Sequence, residues 1–477
     1  MREVTPVLWR RAALACAGGL ALGIGSVIMS TPVQASDTLA NLLYVADAPW
    51  TTVLGSELRS GPYFRPLFLG HQKLILELAA GAYTPVFRGY HAFQLALLLG
   101  AFVWALRVRT AVEFAAAALA LTVVLGLHTF NGLVREAFPV NPGLMVIACC
   151  LAILIIARRD SPSVWTDIAA CALFVIATAT MEQGLLLWVC AAAACLAGWR
   201  GLSTRGVAAM TALCAAYLVL RIAVLGIAAA PGSLARDTGF GFGFLSPGQL
   251  QERFGSNPLA FYLYNVVCSW LTVLFSEPRR GMWIAVQQAS AGALAPAVVL
   301  NVLSSTLTTA VIAYTVLSRR DAWRKWNLEE TDRLLLVSAA VIAANGAISF
   351  AYTRDLIMSP AGVFYGVAAY AALAHVLQRS PRRAVARFAT VTLMLFLSFA
   401  WTVRSFSVPH MLLHAGQLQR HEWADLEFWM QRQRIPRPTG RSAGMLRQLR
   451  EDAMRDPRPG AIGDGTLLVS LVDHGFF

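Results

Sequence analysis

Charged side chains are scarce in this sequence. Asp, Glu, Lys and Arg together make up 14% of the 477 residues, whereas 57% of the residues are hydrophobic. Soluble domains carry about 25% charged residues, because their surfaces face water. The shortage excludes an ordinary soluble globular protein, and the apolar excess excludes a disordered one. The composition predicts a chain that lies largely in a membrane.

Lysine is almost missing as well. Lys73 and Lys325 are the only two, so nearly all of the positive charge is arginine, and the formal net charge is +13. In a soluble protein this excess would suggest nucleic acid as a partner. Here most arginines lie in short loops between apolar runs, which is typical of loops on the cytoplasmic side of a membrane. The charge therefore indicates topology, and no nucleic-acid partner is predicted.

Signatures of metal, disulfide and nucleotide chemistry are also missing. The eight cysteines form no CxxC pair and lie in or beside apolar runs, so we interpret them as small buried hydrophobes. No GxSxG, HExxH or GxGxxG motif occurs in a supporting context, which argues against a hydrolase triad or a dinucleotide site. No cofactor is predicted, and a divalent metal has no support from the residues.

Apolar runs, in contrast, are plentiful. Since about 20 apolar residues cross the hydrocarbon core as a helix, these runs predict about eleven spans. The windows are 12–30, 90–106, 112–128, 143–157, 166–181, 184–198, 207–226, 293–317, 334–352, 359–377 and 388–404. We interpret the first window as a retained helix rather than a cleaved signal peptide, because many spans follow it. The expected fold is an all-α, polytopic membrane helix bundle.

The distribution of arginines predicts the orientation of the bundle. With the N-terminus in the cytoplasm, every second loop is rich in arginine, and the intervening short loops hold chiefly Arg135 and Arg354. This asymmetry favours an extracytoplasmic C-terminus. The use of arginine in place of lysine, with abundant alanine, suggests a bacterial protein, so we expect a location in the inner membrane. The apolar segment 261–275 would reverse the topology if it crossed. We therefore interpret it as a re-entrant or interfacial helix.

Irregular sequence accumulates on the predicted outer side. It forms a first outer loop, 31–89, a second long outer loop, 227–292, and a tail rich in Arg, Pro, Asp and Glu. We divide the chain into a transmembrane domain, 1–404, and a small helical extracytoplasmic domain, 405–477.

The first outer loop carries the most informative motifs. Asp47 stands in VADAPW, residues 63–67 read YFRPL, and GYHAFQLALLLG (89–100) opens the next helix. With the number and orientation of the spans, this pattern resembles the GT-C superfamily of integral-membrane glycosyltransferases. The resemblance covers roughly the first hundred residues and rests on a pattern rather than on one diagnostic motif. The sequence departs from the frequent paired acid of that superfamily, because Ala48 follows Asp47.

The resemblance implies a reaction and a set of site residues. A hexose or pentose would pass, with inversion, from a polyprenyl-phosphate donor to an extracytoplasmic glycan, lipid or protein. Asp47 would be the general base that takes the proton of the acceptor hydroxyl. Arginine would suit the leaving phosphate, because its planar fork pairs with phosphate oxygens. The further substrate-binding candidates are Arg65, Glu57, His71, Arg135, Glu136, Glu182, Arg354 and Asp355.

Structural interpretations stand beside these functional ones. Asp47 also fits a helix cap, and Arg65 fits an interfacial anchor. Arg354 and Asp355 also fit a salt-bridged loop tip. Two other functions stay open. A transporter or lipid-carrier flippase would need ionisable groups at mid-bilayer and broken helices, and a non-catalytic scaffold would leave the candidate residues far apart.

Overall fold

The computed structural model describes most of the chain: residues 6–56, 64–225, 236–238, 242–245, 247–255, 257, 259–350, 353, 355–379, 384–432, 434–435, 438 and 440–455. These ranges are helical almost throughout, which confirms the predicted all-α class. The described exception is one antiparallel pair of short strands, β1 (Arg236–Thr238) and β2 (Phe242–Leu245).

Eleven α-helices precede the strand pair. They are α1 (Pro6–Met29), α2 (Leu39–Asp47), α3 (Trp50–Ser56), α4 (Pro66–Ala79), α5 (Tyr83–Leu106), α6 (Ala111–Gly126), α7 (His128–Arg135), α8 (Pro142–Ala157), α9 (Val164–Thr180), α10 (Leu185–Leu196) and α11 (Thr204–Val219). A 3-10 turn, Glu182–Gly184, precedes α10, and a π-helical turn, Leu220–Val224, continues α11.

Eleven further α-helices follow the strand pair in the described ranges. They are α12 (Pro247–Phe254), α13 (Leu259–Phe275), α14 (Met282–Ser290), α15 (Pro296–Ser318), α16 (Arg320–Arg324), α17 (Glu330–Ile348), α18 (Ser359–Gln378), α19 (Ala384–Ser405), α20 (Ser407–Ala424), α21 (Leu426–Arg432) and α22 (Gly440–Arg455). A 3-10 turn, Asp355–Met358, leads into α18.

Several of these helices are long and apolar enough to cross a membrane, as expected of a multi-pass membrane protein. Each of the eleven sequence windows overlaps a helix. Within the described residues, seven helical segments meet the length and hydropathy of a span, or eight if the bent pair α6 and α7 is one span. Four more apolar helices, α8, α9, α13 and the Glu182–Leu196 segment, are shorter than that length. The predicted count of about eleven is therefore not confirmed.

Helix α18 is the centre of the bundle. Every residue from Ser359 to His375 is buried, and the helix packs against α6, α15 and α17. Its many small residues let neighbouring backbones approach closely, which is how helices associate in lipid. At Gly366, for example, an added Cβ would lie 2.4 Å from the side chain of Val124. The close packing of α18 thus depends on its small side chains.

The loops predicted to share one side of the membrane meet at one end of the bundle. Arg107, after α5, donates a hydrogen bond to the backbone oxygen of Arg158, which follows α8. Arg158 pairs with Glu330 at the start of α17. Arg319, after α15, donates to both carboxylate oxygens of Asp332, at 2.6 and 2.7 Å. We call this the arginine-rich end of the bundle.

The opposite end carries a layer of shorter helices. Helices α2 and α4 of the first outer loop share one hydrophobic cluster with α20, α21 and α22. Polar contacts join the same parts: Trp423 donates to the backbone oxygen of Val33 at 2.7 Å, and the Glu422 carboxylate accepts from the backbone of Ala35 and Ser36 at 3.0 Å. The described part of the tail, through Arg455, therefore packs on the first outer loop.

Helix α13, which contains the apolar segment 261–275, packs one face against the bundle and leaves Leu263 and Val267 exposed on another. Near its start Asn265 donates to the backbone oxygen of Phe350, which follows α17. At its end the backbone oxygen of Leu274 accepts from Thr309, in the middle of α15. The chain then turns, and the backbone nitrogen of Ala295, just before α15, bonds to Gln288 of α14. The re-entrant interpretation of α13 stays a prediction.

Candidate functional site

Two groups of ionisable side chains lie at the end opposite the arginine-rich loops. The first is the Glu182 cluster, formed by Glu182, Arg65 and Arg221. Arg65 donates to one oxygen of Glu182 through Nε at 3.0 Å and Nη2 at 2.6 Å. Arg221 pairs with the other oxygen at 3.1 Å and also donates to the Tyr217 hydroxyl at 3.0 Å. One carboxylate thus connects α4, α11 and the turn before α10.

Pro66 and Gly184, which lie next to the Glu182 cluster in sequence, determine the positions of Arg65 and Glu182. Pro66 opens α4, so Arg65 stands at the helix boundary, where proline is favoured as the first helical residue. The turn of Glu182 is equally constrained, because a Cβ at Gly184 would lie 2.3 Å from the backbone nitrogen of Thr178. Only glycine therefore fits at this position. Burial raises the pKa of Glu182, but the guanidinium groups of Arg65 and Arg221 outweigh it and leave the pKa below its ordinary value.

The second group is the Asp355 cluster, formed by Asp355, His128, Arg279 and Arg280. The Asp355 carboxylate lies 3.4 Å from Nη1 of Arg279 and 3.9 Å from Nε2 of His128. Arg280 is half-buried and interacts electrostatically with Asp355 and with Arg135. Burial lowers the pKa of Arg280 to about 10. Positive groups outnumber the one carboxylate, which is the charge balance of an anion site.

Helix ends from three parts of the chain build the Asp355 cluster. Helices α6 and α7 are bent by 64°, and His128 is the first residue after the bend. The Ser359 hydroxyl donates to the backbone oxygen of Thr129 at 2.7 Å, which holds the turn of Asp355 against α7. The arginines come from the segment after α13. His128 is buried, and neither ring nitrogen has a hydrogen-bond partner among the described residues.

The two clusters flank a common turn. Gln183, the neighbour of Glu182, donates to the backbone oxygen of Ile357 at 2.6 Å. Asn345 donates to the same oxygen at 3.1 Å. Ile357 lies two residues after Asp355, so this backbone connects the two clusters.

A buried arginine, Arg404, lies beside the Asp355 cluster. Its guanidinium stacks on Trp401 at 4.0 Å and interacts electrostatically with His128 and Arg280. It donates hydrogen bonds of 2.7 to 3.3 Å to groups from α6, α15 and the turn after α13: the backbone oxygens of Gly126 and Asn301 and the hydroxyls of Ser304, Ser305 and Ser276. Arg404 therefore fixes the turn that carries Arg279 and Arg280.

The structure places the expected base, Asp47, away from both clusters. Asp47 is exposed at the end of α2, and its Oδ1 accepts a hydrogen bond from the backbone nitrogen of Ser442 at 3.2 Å. Ser442 lies at the start of α22, so Asp47 caps that helix. Among the described residues no arginine forms an ion pair with Asp47, and Arg65 pairs with Glu182 instead.

The other candidates are dispersed. The Nε2 atom of His71 and the hydroxyl of Tyr90 lie 2.7 Å apart, and burial lowers the pKa of His71. Arg135 is exposed at the end of α7, and Glu136, the next residue, is half-buried. Glu57 and Arg354 lie outside the described residues.

Sequence reasoning did not single out His128, Arg279, Arg280 or Arg404. Three of them carried a signal. Arg279 and Arg280 directly follow the segment interpreted as re-entrant, and irregular backbone at membrane depth occurs where it lines a protein interior or cavity. Arg404 ends an apolar window, and an ionisable residue there is a functional candidate by default. Their proximity to Asp355, however, comes from helix packing.

The assignment of a function rests on this geometry alone, without a metal site among the described residues or a known relative. Among the described residues, no group of three or more His, Cys, Asp or Glu side chains could hold a metal ion. In comparisons with known proteins, the chain matches no family model, no curated protein and no solved structure.

Proposed function

We propose that this protein is an integral-membrane glycosyltransferase that uses a polyprenyl-phosphate sugar. The observation that supports it is the Asp355 cluster, where Arg279 and Arg280, from the segment after α13, meet a carboxylate. In this proposal the chain has about eleven spans in a bacterial inner membrane. The arginine-rich end faces the cytoplasm, and the Asp355 cluster faces the outer leaflet.

The charges of the Asp355 cluster suit the proposed reaction. The acceptor hydroxyl oxygen attacks the anomeric carbon of the donor, and the bond from that carbon to the phosphate oxygen breaks. The bonding electron pair stays on the phosphate, whose added negative charge Arg279 and Arg280 stabilise. The hydroxyl proton passes to a carboxylate acting as general base. Attack opposite the leaving phosphate inverts the anomeric configuration.

Asp355 fits the role of the base better than Asp47. A base must lie within reach of the acceptor while the phosphate is held, so it should be close to the phosphate-binding arginines. Asp355 is partly exposed and lies 3.4 Å from Arg279. Asp47 is engaged by the start of α22. We therefore assign the base to Asp355 and a capping role to Asp47.

The test is complementation of a strain that lacks this protein, read out by profiling its lipid-linked sugars and envelope glycans. Without the protein we expect a lipid-linked sugar to accumulate and one glycan to disappear. Wild type and D47N should restore the glycan, whereas D355N should lose at least about 100-fold in transfer, the usual contribution of a general base. D321N, which changes an exposed carboxylate at the arginine-rich end, is the matched control.

The outcomes separate the alternatives. If D47N abolishes transfer and D355N does not, the base is in the first outer loop, as the GT-C resemblance implies. If both variants restore the glycan, the proposed reaction is wrong.

A lipid-carrier flippase is the second candidate, because the bent pair α6 and α7 is the kind of broken helix found in transporters. Movement of a labelled polyprenyl-phosphate sugar across proteoliposomes, without transfer to any acceptor, would favour the flippase.

A further inference from the structure

The arginine-rich end of the bundle contains a pocket that the proposed transfer reaction does not use. It lies between the start of α1, the end of α5 and the end of α8, with a volume of about 530 Å³. Four arginines line it, and no carboxylate occurs among its described lining residues. The arginines are Arg10, Arg107, Arg109 and Arg159.

In a neighbouring pocket at the same end, glutamates balance the positive charge of the arginines. That pocket, of about 470 Å³, is lined by three arginines and three glutamates: Arg107, Arg109, Arg158, Glu113, Glu329 and Glu330. Arg158 and Glu330 form a direct ion pair there. The chain itself therefore supplies the negative charge in that pocket. The first pocket has no such carboxylate among its described lining residues, and this charge balance favours a bound anion.

The walls of the first pocket are half apolar. The remaining lining residues are Pro6, Val7, Trp104, Ala105, Val108, Ile155 and Ile156. Val7 and Trp104 are 56% and 47% exposed on helices that are long and apolar enough to span a membrane, which places this wall against lipid in the proposed topology. A cationic pocket with an apolar wall matches a phospholipid: the arginines suit its headgroup, and the apolar wall suits its acyl chains.

The arginine that enters the membrane helix has an incomplete set of partners. The Arg10 guanidinium stacks on the Trp104 ring at 3.5 Å. Its Nε is buried, and no described residue accepts a hydrogen bond from it. Arg10 and Arg107 are also close enough to repel one another. A phosphate oxygen at this position would accept from Arg10 and relieve the repulsion.

We propose that this pocket binds an acidic phospholipid of the adjacent leaflet. The phosphate group lies among the guanidinium groups of Arg10, Arg107 and Arg159, and an acyl chain follows Trp104 and Ile155. A free phosphate would meet the charge but leave the apolar wall uncovered, whereas a phospholipid meets both. Basic pockets between membrane helices bind acidic headgroups in this way. The pocket is remote from the Asp355 cluster, so the inference is independent of the proposed reaction.

The test is a lipid titration of the detergent-solubilised full-length protein, followed by native mass spectrometry. We expect phosphatidylglycerol to bind at least tenfold more tightly than phosphatidylcholine. R10Q/R159Q should weaken phosphatidylglycerol binding by roughly 30-fold, because each arginine near a membrane surface contributes about fivefold. R200Q/R205Q removes the same charge from exposed positions of the same end, outside the pocket, and should change binding less than threefold.

Three results would overturn the proposal. They are equal binding of the two lipids, equal loss in the two double variants, and displacement of phosphatidylglycerol by millimolar inorganic phosphate, which would mean a small-anion site. If R10Q/R159Q does not elute as a single species, R159Q alone replaces it, since Arg159 is exposed. We expect roughly fivefold weaker binding in that variant, and unchanged binding would also overturn the proposal.

Discussion

The Glu182 carboxylate joins two arginines that are far apart in sequence, Arg65 at 2.6 Å and Arg221 at 3.1 Å. All three side chains are largely buried, so each charge depends on the others for compensation. This contact fixes the first outer loop to the helices beside the proposed site.

We predict that E182Q lowers the free energy of unfolding by about 2–4 kcal/mol at pH 7, because two guanidinium groups lose their counter-charge. The effect depends on pH. The pKa of Glu182 is depressed in the folded protein, so its stabilisation is full above the ordinary value of 4.5 and is lost as pH falls through the folded pKa.

Thermal unfolding of wild type and E182Q from pH 3 to 7 measures this difference. The gap between the two proteins should be widest above about pH 5 and narrow below 4.5. E113Q, which alters a capping glutamate at the arginine-rich end, is the control. A gap that stays constant across the range would contradict the ion-pair interpretation.

We predict that R404M destabilises the protein by about 3–5 kcal/mol, because it leaves hydrogen-bond acceptors of several helix ends unsatisfied in a buried site. R404K keeps the charge but loses the planar fork, and should fall in between. Denaturant titration in mixed micelles measures both. R387M, an exposed change on the same helix, should stay within about 0.5 kcal/mol. Wild-type stability in R404M would mean that burying the charge costs as much as its hydrogen bonds contribute.

We predict a local effect for D47A. Loss of the cap should cost about 1 kcal/mol and speed amide hydrogen exchange in the first turn of α22, starting near Ser442. Exchange in α18 should not change. D37A, on an exposed carboxylate before α2, is the matched control. If exchange in α22 is unaffected, Asp47 is not a cap, and its role as the base gains support.

We predict opposite labelling of two exposed positions by a membrane-impermeant maleimide. S290C, at the end of α14, should react in intact spheroplasts, and S161C, in the loop after α8, only after permeabilisation. The reason is that arginine-rich loops stay in the cytoplasm. The unmodified protein sets the background, because it contains eight cysteines. The reverse pattern would invert the proposed orientation.

The sequence by itself determined the class of the fold and the alternation of its loops. With only 14% charged residues, the sequence consists largely of apolar runs. In a membrane, such runs satisfy their backbone hydrogen bonds by forming helices. Local clusters of arginine mark which loops share an end, and Arg107, Arg158 and Arg319 do meet there. Both signals are local, since each is contained in a window of about 20 residues.

Only the tertiary structure decided which charges meet. Asp47 and Arg65 belong to the same loop of the sequence, but Asp47 caps α22 and Arg65 pairs with Glu182, 117 positions away. Arg404 bonds to Gly126 across 278 positions. Pairings of this kind follow from which helix faces pack together, and in a chain of uniformly apolar helices the local pattern scarcely distinguishes one face from another.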